Sequence, residues 1–255
     1  MNRKRRPRSS SVIELSRSAL EANLRFLQRE IGGSRLISVV KSNAYGHGTR
    51  VYAPLARELG VNLFGVFAAD EARLLLDSGI PGREIIIMGF IGDEDVPWAA
   101  GQEIAFYVSD TGRLDAAVAA GTPDRPSRIH LELETGLNRT GVPADSLDHI
   151  GGFLAKHRDR IRLAGICTHL AGAESTANHM RIQRQTARFH EMENYLRMTG
   201  IEPGLRHAAS SAAALMLPET RLDAARIGIA QYGFWPSMET RMHYMLAGGS
   251  RPDCF

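Results

Sequence analysis

Short runs of Val, Ile, Leu and Ala, bounded by Gly, Asp or Ser, alternate along this chain with longer stretches whose apolar residues recur every third or fourth position. The short runs predict strands at residues 36–41, 62–67, 84–88, 103–108, 128–134, 162–168, 204–208 and 222–227. Between them lie helical patterns. In residues 17–30 the positions Leu20, Leu24 and Leu27, continued by Ile31, give one apolar face. Residues 177–198 are longer and more polar, as suits an outer helix lying partly in water. A strand–helix alternation repeated eight times predicts an α/β fold, a (β/α)8 TIM barrel. Val12-Ile13-Glu14-Leu15 alternates weakly and predicts a strand belonging to something other than the barrel. The expected division is a basic disordered tail at 1–11, a barrel at 12–235, and a connecting remnant at 236–255.

The 255 residues, 44% of them hydrophobic, suffice for one large barrel and exclude disorder as the main state. The formal charge of +3 raises the question of a nucleic-acid partner, but much of it comes from Arg3-Lys4-Arg5-Arg6 and Arg8. A short basic tail of that kind reads as a solvated end, so no nucleic-acid partner is expected. No segment approaches the ~20 apolar residues of a membrane span, and no apolar signal region follows the basic start, so the expected compartment is the cytoplasm. Two cysteines, Cys167 and Cys254, make neither a disulfide framework nor a metal cluster. His179 and His190 are too far apart for a helical zinc pair, and no metal is expected.

The segment richest in chemistry is Val39-Val40-Lys41-Ser42-Asn43-Ala44-Tyr45-Gly46-His47-Gly48. It delivers a lysine at the C-terminal end of a strand, the end at which barrels build their active sites. A partly desolvated lysine there can lose enough basicity to form a Schiff base. A strand-end lysine that merely extends into solvent is the other reading. Further along, Arg139 stands in Glu134-Thr135-Gly136-Leu137-Asn138-Arg139-Thr140-Gly141, where a guanidinium fork suits an anion. His169 follows a predicted strand. Ser210 and Ser211 precede a small-residue helix start, where hydroxyls and free N–H groups can hold phosphate, although a simple N-cap needs only one of them. Arg226, Gly228 and Ile229 close the last predicted strand.

Taken together, the lysine string and these segments, in this order, resemble the alanine racemase family over roughly residues 12–250. The resemblance implies pyridoxal 5'-phosphate (PLP) as cofactor, joined to Lys41, which also serves as an acid/base group. By the same resemblance Tyr45 and Ser211 lie near the cofactor phosphate with the amides of Gly228 and Ile229. His169 stacks on the pyridine ring, Arg226 faces the ring nitrogen, and Arg139 reaches the cofactor's phenolic oxygen and the substrate carboxylate. An arginine donates a hydrogen bond without readily giving up its proton, which leaves the ring a weaker electron sink and favours α-proton exchange over transamination. Two departures stand out. Glu132 occupies the place where many relatives carry a carbamylated lysine, and Ser210 replaces an asparagine. The implied activity is interconversion of L- and D-alanine, with serine a further candidate and a homodimer the candidate assembly. In the family the opposite acid/base group is a tyrosine from a C-terminal β domain of the partner subunit, and this text stops at Phe255, about where that domain should start. Two readings follow from the resemblance. One is a truncated racemase, impaired alone. The other is a single-domain PLP carrier or homeostasis protein.

Overall fold

A computed structural model describes residues 11–80, 82 and 84–249 of the chain. The predicted basic tail up to residue 10, Cys254 and the last residues of the connecting remnant lie outside the described residues. The helix α1 (Arg17–Ile31) opens on Ser16, whose Oγ accepts from Ala19 N at 3.2 Å, and it buries Leu20, Leu24, Leu27 and Ile31 as the spacing predicts. There follow β1 (Arg35–Val39), a short turn α2 (Lys41–Tyr45), α3 (Thr49–Glu58), β2 (Leu63–Val66), α4 (Ala69–Leu76), β3 (Glu84–Ile87), α5 (Val96–Gly101), β4 (Ala105–Val108) and α6 (Gly112–Ala120). The second half comprises β5 (Ser127–Glu132), α7 (Leu147–Lys156), β6 (Ile161–Cys167), α8 (His179–Met198), β7 (Leu205–His207), α9 (Ser211–Met216), β8 (Ala224–Ile227) and α10 (Met238–Leu246).

All eight strands form one parallel sheet in the order β7-β6-β5-β4-β3-β2-β1-β8. The sheet curls until its two edges meet. Asp223 N–H donates to Arg206 O at 3.1 Å and Arg226 N–H to Ala209 O at 2.9 Å, and the Arg206 guanidinium grips the Asp223 carboxylate at 2.7 Å across the same seam. The result is the predicted (β/α)8 barrel, with every strand where the apolar runs placed it. Residues 11–16 contain no regular element, and Val12 and Ile13 stand exposed, so the weak alternation there does not make a strand. Four residues with no neighbouring edge to pair with gain nothing from extension.

Side chains alternate between two layers. Phe64, Ile85, Phe106, Ile129 and Leu131 face the helices, where they pack against Leu24, Ala56, Leu75 and Phe189. Ile37, Leu63, Ile86, Ala105, Tyr107, Cys167 and Ala224 fill the barrel interior. In β5 the alternation is inverted relative to an ordinary half-buried strand: its apolar residues face outward to helices, while His130 and Glu132 are buried on the inner side. Among the described residues no helix is long and apolar enough to cross a membrane, and no cluster of His, Cys, Asp and Glu is arranged to hold a metal ion.

Candidate active site

The ladder of β1 continues one residue past the strand, with Val40 N–H donating to Gly65 O at 2.8 Å, so Lys41 emerges at the C-terminal mouth of the barrel. The chain then does something the sequence gives no sign of. Ser42, Asn43, Ala44 and Tyr45 all take positive φ, between 52° and 55°, and form one turn of left-handed helix. Each such residue costs about 1–2 kcal/mol. Offsetting bonds surround the turn: Ala44 N–H donates to Val40 O and Gly46 N–H to Ser42 O, both at 2.9 Å. The Glu71 carboxylate of α4 accepts from Ser42 N at 2.6 Å and from Phe67 N at 2.7 Å, and Asn43 Oδ1 accepts from Thr49 N at 2.9 Å.

The reversed turn carries Tyr45 to the end of β8. A Cβ placed on Gly228 would lie 2.3 Å from the Tyr45 hydroxyl, so only glycine lets that hydroxyl reach the backbone. Ser211, the first residue of α9, sits on the other side; its Oγ accepts from Gly228 N at 3.0 Å and Ala230 N at 3.5 Å. Two hydroxyls and backbone N–H groups thus meet at one point, the donor set that a phosphate requires. Gln231, fully buried, ties this cradle to β1: its amide donates to Val39 O at 2.8 Å and its carbonyl accepts from Ser38 Oγ at 2.7 Å.

Arg226 lies in the barrel at the level of the same mouth, 8% exposed. Its Nη1 meets His207 Nδ1 and donates to His207 O, and its Nη2 donates to Thr168 O and Ala208 O, all at 2.8 Å. The terminal nitrogens are thereby used up, which leaves Nε–H as the donor for a ligand. His169 follows β6, and its backbone is held by Gln185 of α8, whose amide donates to His169 O at 3.1 Å. Burial, reinforced by the positive charges of Arg226, Arg139 and Lys41, pushes the His169 imidazole down to about 3, so it is neutral at any ordinary pH. Arg226 of β8, Arg139 of the loop after β5 and Lys41 at the end of β1 thus all act on this ring through space. Among the described residues neither Lys41 nor Arg139 has a carboxylate within 4.0 Å. A mouth with unpaired positive charge is complementary to a ligand bearing several negative ones.

Glu132, the last residue of β5, is buried. Burial raises its carboxyl above the usual range, opposed by a Thr140 hydroxyl and by the charges of Arg226 and Arg139. It acts on both guanidiniums through space without an ion pair to either. Sequence reasoning singled out Lys41, Tyr45, Arg139, His169, Ser211, Arg226, Gly228 and Ile229, and all of them line or adjoin this mouth. It missed Glu71, Gln185 and Gln231, which fix the loops, and His130, which stands behind His207. For His130 a signal existed in the inverted polar alternation of β5. For Glu71 there was none, because its role depends on a left-handed turn thirty residues away.

The residues fit PLP as a ligand. The hydroxyl and amide cradle accepts a phosphate, the Lys41 amine matches an aldehyde, Arg226 keeps one donor free, and the imidazole of His169 offers a flat face. Fold and mouth together define a parallel (β/α)8 barrel with a lysine and a phosphate-type cradle at the C-terminal ends of its strands. Residues 15–236 match the family model described as alanine racemase, N-terminal domain, and the chain belongs to that family. The alanine racemase of Leptospira interrogans is 34% identical over 242 residues, covering 94% of this chain and 61% of its own. The alanine racemase structure from a D-cycloserine-producing Streptomyces lavendulae superposes with TM-score 0.82 at 35% identity, covering 91% of this chain and 61% of that one. A Bacillus anthracis alanine racemase solved with bound L-Ala-P gives TM-score 0.81 at 29% identity, with 89% and 58% covered. The chain therefore spans about 61% of the length of the Leptospira relative.

Proposed function

We propose that this chain is the cofactor-binding barrel of a PLP-dependent amino-acid racemase that interconverts L- and D-alanine. The observation that carries the reading is the meeting of Lys41, a phosphate-type cradle and the two guanidiniums of Arg139 and Arg226 at one barrel mouth, in a chain whose relatives are named alanine racemases. Bound PLP supplies the electron-withdrawing ring that acidifies the amino acid's α-hydrogen. Tyr45, Ser211, Gly228 and Ile229 hold the phosphate, and Lys41 holds the aldehyde end. Arg226 would offer Nε–H to the ring nitrogen and, because an arginine keeps its proton up to pH ~12, would not protonate it. His169, neutral, covers one ring face. Arg139 binds the substrate carboxylate, and the Glu132 carboxylate beneath it supplies the negative charge that steadies it. Lys41 Nζ, left as a free amine once the substrate's own amine has taken its place at the aldehyde, takes or returns the α-proton on one face. The opposite face takes the tyrosine that the family resemblance implies, brought by a partner subunit in a cytoplasmic homodimer. Serine is the second substrate candidate.

Lys41 alone suffices for half of this chemistry, which gives a direct test. The PLP-loaded chain is incubated with each alanine enantiomer in D2O, and loss of the α-hydrogen signal is followed by NMR. Wash-out from at least one enantiomer, abolished in Lys41→Ala, is the expected result. No wash-out from either enantiomer, or equal rates in Lys41→Ala, overturns the reading.

A further inference from the structure

Beneath Arg226 the barrel interior holds two imidazoles that the chemistry above does not use. His207, on β7, is fully buried and His130, on β5, is 3% exposed. Arg226 Nη1 lies 2.8 Å from His207 Nδ1, and His207 Nε2 lies 2.8 Å from His130 Nδ1. An arginine carries donors alone, so His207 Nδ1 must accept and the His207 proton must sit on Nε2. That N–H then needs an acceptor, so His130 Nδ1 must be bare and its own proton must sit on Nε2. One contact with a guanidinium thus dictates the tautomer of both rings.

The surroundings keep this chain of bonds in one state. Burial, with the charge of Arg226 and, for His130, that of Arg128, depresses both imidazoles far below neutrality, His130 to about 3. Gly165, the register partner of His130 on β6, makes the room: a Cβ there would lie 2.4 Å from His130 Nδ1. The His130 ring also borders a cavity of about 300 Å³ shared with Arg128, Arg162 and Gly204, at the end of the barrel opposite the mouth.

We infer that His130 is a positioning residue for Arg226: by accepting the His207 N–H it locks the His207 lone pair onto the guanidinium, which holds Nε–H as the donor presented to the mouth. Without that acceptor His207 can take the other tautomer, which would set an N–H against Arg226 Nη1, donor against donor. The inference rests on the proposed cofactor reading for its consequence, but its geometry belongs to the protein alone.

The test has two arms. In the cofactor-free protein, long-range 1H–15N spectra report the tautomers, and both His207 and His130 are expected neutral with the proton on Nε2. A proton on His207 Nδ1, or a cationic ring at neutral pH, overturns the inference. In the second arm PLP affinity and the absorption of bound cofactor are compared for His130→Asn and His130→Leu. Asparagine places its Oδ1 near the lost Nδ1 and keeps an acceptor; leucine keeps none. His130→Leu is expected to weaken PLP about tenfold and to shift the absorption maximum, while His130→Asn stays within about threefold of the parent with its spectrum unchanged. Parent-like affinity and spectrum in both variants overturn the inference. Should His130→Leu fail to fold, the parent tautomers and the His130→Asn spectrum still decide. Should the parent bind no PLP, the cofactor reading fails, while the tautomer arm continues to judge the histidine chain.

Discussion

At the scale of single residues, the mouth works through what each side chain has left after the protein has used it. Arg226 spends its terminal nitrogens on four acceptors inside the barrel and is left with one donor. His169 is stripped of its charge by burial and by three neighbouring cations, so it presents a neutral ring to a cationic mouth. Gly228 contributes by having no side chain, since a methyl there would collide with the Tyr45 hydroxyl at 2.3 Å. Overpacking of this kind costs about 1–3 kcal/mol, so Gly228→Ala is expected to weaken PLP binding by about 5- to 150-fold. Fluorescence titration checks this, and unchanged affinity would place the phosphate elsewhere. The residues that the structure brings to the mouth were mostly legible in the sequence, because they fall on strand ends. His130 was harder to see, because its alternation with Glu132 in β5 points to the barrel interior only once the inner and outer faces of that strand are known.

At the scale of elements, the strands were legible because each short apolar run is bounded by turn residues. Their ends moved by only a residue or two when the ladders formed. The left-handed turn at Ser42–Tyr45 was not legible. None of its four residues is glycine, and what stabilises it is a carboxylate on a different helix. Glu71 accepts from Ser42 N and Phe67 N, bonds that join the loops after β1 and β2. Hydrogen bonds to charged groups contribute about 1.5–3 kcal/mol each, and less where water can replace the lost acceptor, so at these exposed positions about 1 kcal/mol each is expected. Glu71→Ala is accordingly expected to lower unfolding stability by about 2 kcal/mol in urea melts and to weaken PLP binding, because Tyr45 rides on the turn. Lost stability with intact PLP binding would separate the turn from the cradle. The alternating Val12–Leu15 segment shows the opposite case: a local pattern without a partner edge stays irregular.

At the scale of the whole molecule, the barrel closes at the seam between β7 and β8, where regular ladder gives way to two backbone bonds and the Arg206–Asp223 pair. The Arg206 guanidinium holds the Asp223 carboxyl below its usual value of 3.8. The sign follows from linkage: a depressed carboxyl stabilises the fold fully above its unfolded value and loses that contribution as pH falls through the folded one. The pair is about one-third exposed, so the effect is modest. Asp223→Asn should lower the urea midpoint at about pH 7, by a margin that shrinks as pH falls below the usual carboxyl value of 3.8. A difference that persists at low pH would show that the seam depends on shape and not on charge.

The reversed turn begins directly after Lys41, and the inner histidines hold Arg226 at the same barrel mouth. The most direct measurement is borohydride reduction of the PLP-treated protein followed by peptide mass spectrometry. The account predicts one pyridoxyl adduct, on Lys41, that vanishes in Lys41→Ala. An adduct elsewhere, an adduct retained in that variant, or none in the parent would contradict it.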